Sequence, residues 1–270
     1  MKIHHNILTY TSPLQDVIRK ISISAGVASP NRLRVLNFHD IPPSEEAAFA
    51  RQLNWLKKNW KINSPKEFEK LISGDIPIKG DNLMITFDDG FFSNRIIAEK
   101  FLNPLGIQAL FFVVSDFVGI DDHEKASRFI VKNIYPELEI YDIPNQWRNM
   151  QWNDLKVLID QGHTIGCHTK KHTRLSNCRS EEELETEIIE SADLITKKLG
   201  IKVDHFSYTF GDINSFSKNA LAVAKRRYRY IYSGLRGDNV KGGSPFQIRR
   251  DAASYQGSDH EYVIFKNDLL

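Results

Sequence analysis

Residues 83–90 read LMITFDDG, a short apolar run that ends in two adjacent carboxylates and a glycine. Such a run, bounded by a turn signal, is typical of a buried strand. Asp88 and Asp89 therefore lie where a strand ends, and neighbouring strand residues point to opposite faces. Gly90 permits the tight turn that exposes both side chains. The segment predicts a strand that delivers a pair of carboxylates with separate roles.

A second segment, residues 163–172, reads HTIGCHTKKH, in which a short apolar run over residues 163–167 precedes His168 and His172. His168 and His172 are four residues apart, so a single helical turn would place both rings on one side. Two imidazoles and one carboxylate can hold a divalent metal and leave positions open for water and substrate. A bound metal lowers the pKa of water and polarises a carbonyl oxygen, and a second carboxylate can take the proton.

Each motif alone has a simpler interpretation. Asp-Asp-Gly is usually a turn with solvated carboxylates, and two histidines at this spacing are often a solvated helix face. Because each motif follows a strand that looks buried, their combination favours a metal site.

Strand and helix signals alternate along the chain. The strongest helix signal covers residues 181–199, where Ser180 and Glu183 can form a capping box and Gly200 can end the helix. Further helices are predicted over residues 45–60 and from about 154 to 160. Strands are predicted over residues 34–38, 83–87, 107–114, 164–167, 203–208, 230–233 and 246–249.

This alternation indicates an α/β fold, a parallel sheet with helices outside. The motif residues fall at the carboxyl ends of strands, where a (β/α) barrel places its site. Spacing alone does not separate a barrel from an open doubly wound sheet. With 270 residues, one large domain or two small ones fit.

Charge and cysteine usage exclude several classes of protein. The chain has 36 basic and 34 acidic residues and a net charge of +2, which argues against nucleic acid as the main ligand. Cys167 and Cys178 do not indicate a disulfide framework. Strand alternation turns Cys167 away from His168, so it is not expected to bind metal. No secretory signal or transmembrane segment is recognised, so we expect a cytoplasmic protein, peripheral to the membrane at most.

The motifs resemble those of the polysaccharide deacetylase family, carbohydrate esterase family 4. The family's first metal motif, TFDDG, stands unchanged at residues 86–90. Its second, G-H-x-I-G-x-H-(S/T)-x-x-H-x-x-L, matches GHTIGCHTKKHTRL at residues 162–175. The segment MQWNDL at residues 150–155 is similar to the helix that precedes that motif. The resemblance covers roughly residues 33–251 and implies a single-domain, distorted (β/α)7-type barrel.

The resemblance also implies the metal ligands and the base. Asp89, His168 and His172 would bind a divalent metal, usually Zn²⁺, and Co²⁺, Ni²⁺ or Mn²⁺ would suit the same ligands. Asp88 would be the general base.

The family's general acid is a histidine, in many members near the C-terminus, and the sequence after residue 251 has no such motif. Circularly permuted members carry it on the first strand, in a pattern like V-L-x-Y-H. Residues 33–40, LRVLNFHD, resemble that start, which assigns the acid to His39. Residues 246–251, FQIRRD, resemble the last strand of permuted members. Since strand neighbours alternate, one arginine points inward, and Arg250 is assigned to hold the base.

Residues 206–211, FSYTFG, resemble the family's third motif, commonly F-A-Y-P-F-G. In the family, the backbone N–H at the position of Tyr208 helps to hold the oxyanion. Thr209 replaces the usual proline, which removes a fixed φ from this loop. Tyr208, Phe210 and Trp152 are predicted to contact the substrate.

Residues 115–150 form a long stretch without a clear strand, predicted as a loop insertion. It belongs to a catalytic barrel over residues 33–270, preceded by an N-terminal extension over residues 1–32. Because long loops often cover binding sites, we predict that it covers the sugar site, with Trp147 or Trp152 as a stacking surface. The alternative is an insertion whose tryptophans are core residues.

These expectations describe a metal-dependent hydrolase that deacetylates an N-acetylated amino sugar. The sugar would belong to a polysaccharide, or to a nucleotide- or lipid-linked precursor in surface polysaccharide biosynthesis. A phosphatase with Asp88 as nucleophile is disfavoured, since that chemistry requires Asp-x-Asp and gives the histidines no role. The alternatives are a catalytically weak carbohydrate-binding protein on the same barrel and a metal-dependent deacylase for O-acetyl or N-formyl groups.

Overall fold

The computed structural model describes residues 21–26 and 29–253, in which strands and helices alternate as predicted. The strands are β1 (Arg32–Phe38), β2 (Lys61–Ile62), β3 (Asp81–Phe87), β4 (Leu110–Val113), β5 (Thr164–Cys167), β6 (His205–Ser207), β7 (Tyr230–Tyr232) and β8 (Asp251–Ala252). The α-helices are α1 (Glu46–Asn59), α2 (Pro65–Ser73), α3 (Phe92–Ile97), α4 (His123–Phe129), α5 (Trp152–Asp160), α6 (Glu181–Glu185), α7 (Ser191–Leu199) and α8 (Lys218–Arg227).

Short 3₁₀ and π-helical segments join or extend these elements. The π-helical turns are Ala98–Leu102, Ile130–Ile134 and Thr186–Glu190, which follow α3, α4 and α6. The 3₁₀ turns are Pro43–Glu45, Asn103–Leu105, Ile140–Asp142, Leu175–Asn177 and Ile213–Ser215.

The strands form one parallel sheet that curls on itself. Seven lie in the order β7-β6-β5-β4-β3-β1-β8, and β2 pairs with the first half of β3. Ile248 bridges to Tyr232 of β7, and β8 pairs with β1. Residues 248–252 therefore contact both ends of the sheet. The predicted fold, a single-domain distorted (β/α)7-type barrel, is confirmed.

Alternate strand residues point into the barrel and change from apolar to polar toward the carboxyl ends. In β1, Leu33 and Val35 belong to the inner core, and Asn37 lines a polar cavity. In β3, Met84 belongs to the same core, and Asp88 follows at the strand end. Because of this alternation, the polar side chains at the carboxyl ends of several strands face the same cavity. The inner core comprises Leu33, Val35, Phe68, Leu71, Ile72, Met84, Leu110, Phe112, Tyr230, Tyr232 and Ile248.

Strand β5 carries a glycine where a neighbouring ring needs the space. A Cβ on Gly166 would lie 2.6 Å from Phe112 Cδ1, so a larger residue would displace that ring. Cys167 points the opposite way and packs in the outer core, with Sγ 3.0 Å from Ser191 Oγ. The prediction that Cys167 turns away from His168 is therefore confirmed.

The predicted helix over residues 181–199 is present, with a π-helical turn between α6 and α7. Ser180 Oγ accepts the Glu183 N–H at 3.2 Å, but the Glu183 carboxylate accepts the N–H of Arg179. Only half of the predicted capping box forms. Gly200 ends α7 in the left-handed conformation, with φ 68°.

One predicted strand was wrong, because residues 246–249 form only the bridge at Ile248 and the last strand is β8. Residues 115–150 contain no strand, as predicted, but they include α4, which begins where Asp122 accepts the Lys125 N–H at 2.8 Å. A helix of seven residues is too short for a clear helical period in sequence. Around it, Phe91, Phe117 and Ile130 belong to a third core.

Parts of the predicted N-terminal extension and of the predicted barrel lie outside the described residues. Residues 1–20 and 27–28 of the predicted extension, and residues 254–270 of the predicted barrel, are not described. In the described part of the chain, no helix has both the length and the apolar character needed to span a membrane.

Candidate active site

The carboxyl ends of the strands surround a cavity of about 450 Å³. Nearly all the predicted site residues line it, although they come from distant parts of the chain. Trp152 is the exception and lines a different cleft. The predicted residues at the cavity are His39, Asp88, Asp89, His168, His172, Tyr208, Phe210 and Arg250.

The three predicted metal ligands converge. One ligand atom each from Asp89, His168 and His172 lies within 4.8 Å of the others, and all three residues are buried. His172 Nε2 is 3.4 Å and His168 Nε2 is 3.6 Å from Asp89 Oδ1.

Hydrogen bonds fix which nitrogen of each imidazole faces this point. His168 Nδ1 lies 2.9 Å from the Ser207 carbonyl oxygen, and His172 Nδ1 lies 2.8 Å from that of Asn133. A carbonyl only accepts, so each Nδ1 carries the proton and each Nε2 of a neutral ring presents a lone pair. Burial lowers the pKa of His168 to about 3 and also lowers the pKa of His172, so both rings are neutral near pH 7.

In the third ligand, Asp89, one carboxylate oxygen accepts no hydrogen bond from the described residues. Asp89 Oδ1 is buried without a hydrogen-bond partner among the described residues. Burial raises the pKa of Asp89 to about 7. Above pH 7, where Asp89 is ionised, two lone pairs and a carboxylate oxygen therefore face one another with no proton donor between them, an arrangement that a cation would stabilise. A set of two imidazoles and one carboxylate with open positions suits Zn²⁺ and similar divalent ions.

Two of these ligands also occupy unusual backbone conformations. Asp89 has φ 74° and His172 has φ 60°, the left-handed region that residues other than glycine rarely adopt. Each such residue costs about 1–3 kcal/mol, a strain that clusters at functional sites. Gly90 follows with φ 97°. The tight turn that was predicted at this glycine is therefore confirmed.

Asp88 forms the ion pair that the sequence predicts for a base. Arg250 NH1 and NH2 donate to Asp88 Oδ1 and Oδ2, each at 2.8 Å, and Asn37 Nδ2 donates to Oδ2 at 3.0 Å. Burial raises the pKa of Asp88, but the adjacent Arg250 guanidinium outweighs it, and the net pKa lies well below the usual range. Asp88 is therefore ionised throughout the physiological pH range.

Arg250, and not Arg249, points inward. Its Nε donates to the Ser233 carbonyl at 3.0 Å, and it also donates to Ser207 Oγ. Arg249 is exposed and donates to the Arg236 carbonyl at 2.7 Å. Alternation along the segment explains why adjacent arginines have different surroundings.

This difference predicts unequal effects on stability. Arg250→Met should lower the free energy of unfolding by about 3–5 kcal/mol, because it leaves Asp88 charged and unpaired in the interior. Arg249→Met, at an exposed position, should change it by less than about 0.5 kcal/mol. Urea unfolding of both variants measures this, and equal losses would contradict the assigned ion pair.

Sequence analysis missed Glu187, a residue that supports the site. Glu187 Oε2 accepts the N–H groups of Lys170 and Lys171 at 3.0 and 2.9 Å, which holds the loop between the two histidines. Glu187 lies in the π-helical turn, a feature frequent at functional sites. The only sequence signal was a carboxylate three residues after Leu184, on the apolar face of the helix.

The comparison with known proteins places this site in a family. The family model described as polysaccharide deacetylase matches residues 76–229, more than half of the chain, including both metal motifs. The chain belongs to the polysaccharide deacetylase family. A curated relative, YxkH of Bacillus subtilis (strain 168), is 22% identical over 193 residues, 68% of this chain and 59% of YxkH. The chain therefore spans less than two thirds of that relative.

Solved structures share the fold of this deacetylase-family chain. IcaB from Ammonifex degensii has a TM-score of 0.66 at 21% identity, over 83% of this chain and 92% of IcaB. The Streptococcus pyogenes deacetylase PplD, in complex with acetate, has a TM-score of 0.67 at 17% identity, over 86% and 97% of the two chains. At these identities the similarity demonstrates the fold alone.

The third family motif differs from the sequence prediction. The Tyr208 N–H donates to the Tyr232 carbonyl oxygen at 3.1 Å, so the sheet occupies the predicted oxyanion donor. The Phe210 N–H, two residues later, takes part in none of the hydrogen bonds between described residues, and Phe210 lines the cavity. Thr209 Oγ1 donates to the Thr173 carbonyl at 2.6 Å. This hydrogen bond holds the loop where a proline would have fixed φ.

Neither candidate tryptophan lines this cavity, so the structure does not place them where a sugar in it would stack. The Trp147 ring centroid lies 5.1 Å from that of Tyr135 and 5.6 Å from that of Phe91. Trp147 thus packs against the third core, as in the alternative interpretation of the insertion. From the insertion, Ile134, Tyr135 and Glu137 reach the cavity instead.

Proton competition at Asp89 should make metal binding depend on pH. Since the pKa of the metal-free carboxyl is raised to about 7, a metal ion must displace its proton below that pH. The apparent affinity should fall about tenfold per pH unit below pH 7 and change little above it. Calorimetric Zn²⁺ titrations between pH 5.5 and 8.5 measure this. An affinity that still rises steeply above pH 7.5 would indicate a ligand of higher pKa.

Proposed function

We propose that this chain is a metal-dependent hydrolase that removes the acetyl group from an N-acetylated amino sugar of a glycan or glycan precursor. One observation carries the proposal. The unprotonated atoms of Asp89, His168 and His172 converge beside the Asp88–Arg250 pair, in one cavity of a polysaccharide deacetylase-family barrel.

The metal would be held by Asp89, His168 and His172, with Zn²⁺ first and Co²⁺, Ni²⁺ or Mn²⁺ as alternatives. When bound, such an ion lowers the pKa of water and polarises an acyl carbonyl oxygen. Asp88 accepts the proton of the attacking water, and Arg250 keeps this carboxylate ionised and oriented.

Two further groups complete the proposed reaction, the backbone N–H of Phe210 and the imidazole of His39. The Phe210 N–H, with no acceptor in the described part of the chain, donates to the oxygen that becomes negative during attack. His39, half-buried at the end of β1, protonates the departing amine, as in the circularly permuted members that the first strand resembles. Asn94 Nδ2 donates to the His39 carbonyl at 2.8 Å and fixes its backbone.

Acetate release tests this function. The metal-loaded protein should convert an N-acetylated glucosamine oligomer to equal amounts of acetate and free amine. Chelation should stop the reaction, and one equivalent of Zn²⁺ should restore it. O-acetylated and N-formylated sugars in parallel assays separate the alternative deacylases. Sugar binding without release of any acid from these substrates would favour the carbohydrate-binding alternative.

We also propose a source for the substrate. A nucleotide- or lipid-linked precursor, or the polymer itself, would be deacetylated in the cytoplasm during surface polysaccharide biosynthesis. Cell fractionation that finds the protein outside the cytoplasm would exclude this location.

A further inference from the structure

A second cleft, of about 560 Å³, shares a wall with the catalytic cavity. Asn133 lines this cleft while its carbonyl oxygen holds His172, and Ile134, the next residue, lines the cavity. Likewise, Lys171 lines the second cleft, and the next residue, His172, lines the catalytic cavity. The two depressions therefore lie on either side of one thin wall. We call the second one the basic cleft, defined by Lys125, Arg128, Lys132, Lys171, Lys198 and Trp152.

Most of the cations in the basic cleft have no carboxylate partner. Arg128 pairs with Glu124, and Asp116 is the one acidic residue among those that line the cleft. Several cations on one concave surface create a positive potential that attracts anions. Within the described residues, no ion pair is formed by Lys125, Lys132, Lys171 or Lys198.

Some other lysines of the described chain form ion pairs with acidic residues. Lys170, adjacent to the cleft residue Lys171, pairs with Glu190 at 3.1 Å, and Lys100 pairs with Glu46 at 2.8 Å. The four unpaired ammonium groups come from α4, the π-helical turn after it, the loop between His168 and His172, and α7. Tertiary structure alone collects them.

Trp152 supplies an aromatic surface beside these charges. Lys198 Nζ lies 5.8 Å from its ring centroid. A Cβ on Gly119 would lie 2.4 Å from Trp152 Nε1, so the glycine makes room for the indole. Trp152 lines the cleft, and no hydrogen bond between described residues uses its indole N–H. An aromatic face beside cations suits a ring that carries phosphate.

We propose that the basic cleft binds the phosphate groups of the glycan or of its carrier while the acetylated sugar occupies the catalytic cavity. The link to the substrate rests on the proposed deacetylase function, whereas anion binding itself does not. Four unpaired ammonium groups match a group with more than one negative charge, such as a diphosphate, better than the single carboxylate of an acidic sugar. Lysine suits phosphate because it offers a compact point charge.

Inorganic pyrophosphate is the first probe, titrated calorimetrically into metal-free protein at low salt so that it cannot bind through a metal. The triple variant Lys125→Gln, Lys132→Gln, Lys198→Gln should bind it about tenfold more weakly or worse. The control triple Lys58→Gln, Lys66→Gln, Lys79→Gln removes the same charge from exposed lysines outside both cavities and should bind as the wild type does. Equal loss in both triples, or no binding by the wild type, would overturn the proposal.

Two further probes distinguish the source of the phosphate. UDP-N-acetylglucosamine represents a nucleotide carrier, and a short prenyl diphosphate of N-acetylglucosamine represents a lipid carrier. The one that binds more tightly than pyrophosphate identifies the carrier, and equal binding means that the diphosphate alone is recognised.

Acetate release from a neutral N-acetylated oligomer separates the two proposals. Pyrophosphate binding without acetate release would contradict only the proposed function. Acetate release without pyrophosphate binding would contradict only the basic cleft.

Discussion

Asp89→Ala is expected to abolish tight binding of the divalent ion and to reduce acetate release to the level of the metal-free protein. The variant removes the only carboxylate of the set and leaves two imidazoles, which hold a metal weakly on their own. Losing an outer partner of a metal ligand costs about 10–100-fold in affinity or activity, and losing a ligand itself should cost more.

The fold should survive this change. Asp89 Oδ1 has no hydrogen-bond partner in the described structure, so its removal breaks no internal bond of that atom. Because φ is 74° at this position, Asp89→Asn provides a second variant, since asparagine tolerates the left-handed region better than alanine.

Metal titration and thermal unfolding, measured together, test the prediction. Cys167→Ala is the matched control, because this buried residue adjoins His168 but packs outward against Ser191. It should keep one ion per chain. Normal metal binding by Asp89→Ala, or its loss in Cys167→Ala, would show that the ligand set is misassigned.

Asp88→Asn is expected to lower kcat by about 10²–10⁴-fold, the range typical of losing a general base, with the metal still bound. The amide cannot accept the proton of water, and Asp88 is not one of the three converging ligands. The variant also leaves Arg250 buried without its partner charge, so we expect lower stability as well.

A control variant separates the catalytic loss from the loss of stability. Asp251→Asn removes the carboxylate of another buried ion pair, with Arg34 at 2.6 Å, and Asp251 does not line the cavity. It should destabilise the fold similarly but retain kcat within about tenfold at temperatures where both variants are folded. Equal kcat losses in the two variants would remove the support for Asp88 as the base.

Local sequence was sufficient for some features of the site and insufficient for others. The strand end at Asp88 and Asp89 was predictable because an apolar run and a glycine are local signals. The orientation of Cys167 followed from strand alternation alone. The tautomers of His168 and His172 were not predictable, because the acceptors are backbone carbonyls that lie 39 residues away in each case. Every residue has a backbone carbonyl, so residue type does not indicate which carbonyl accepts the hydrogen bond.

The third motif illustrates the same limit. Its sequence suggested the Tyr208 N–H as a donor, but pairing with β7 uses that group. The choice between Tyr208 and Phe210 depends on register with a strand more than 20 residues later. The tryptophans were equally ambiguous, because an aromatic residue in an insertion can pack in a core, as Trp147 does, or line a cleft, as Trp152 does.

The sequence by itself determined the alternating α/β pattern, the strand ends that carry the carboxylates and imidazoles, and the residue types a metal site requires. These features depend on periodicity and turn chemistry within a few residues. Tertiary structure decided which lone pairs converge, which arginine holds Asp88, which amide stays free and which lysines share a cleft. Those outcomes depend on strand pairing and helix packing between distant segments, because hydrogen bonding and charge act through space and not along the chain.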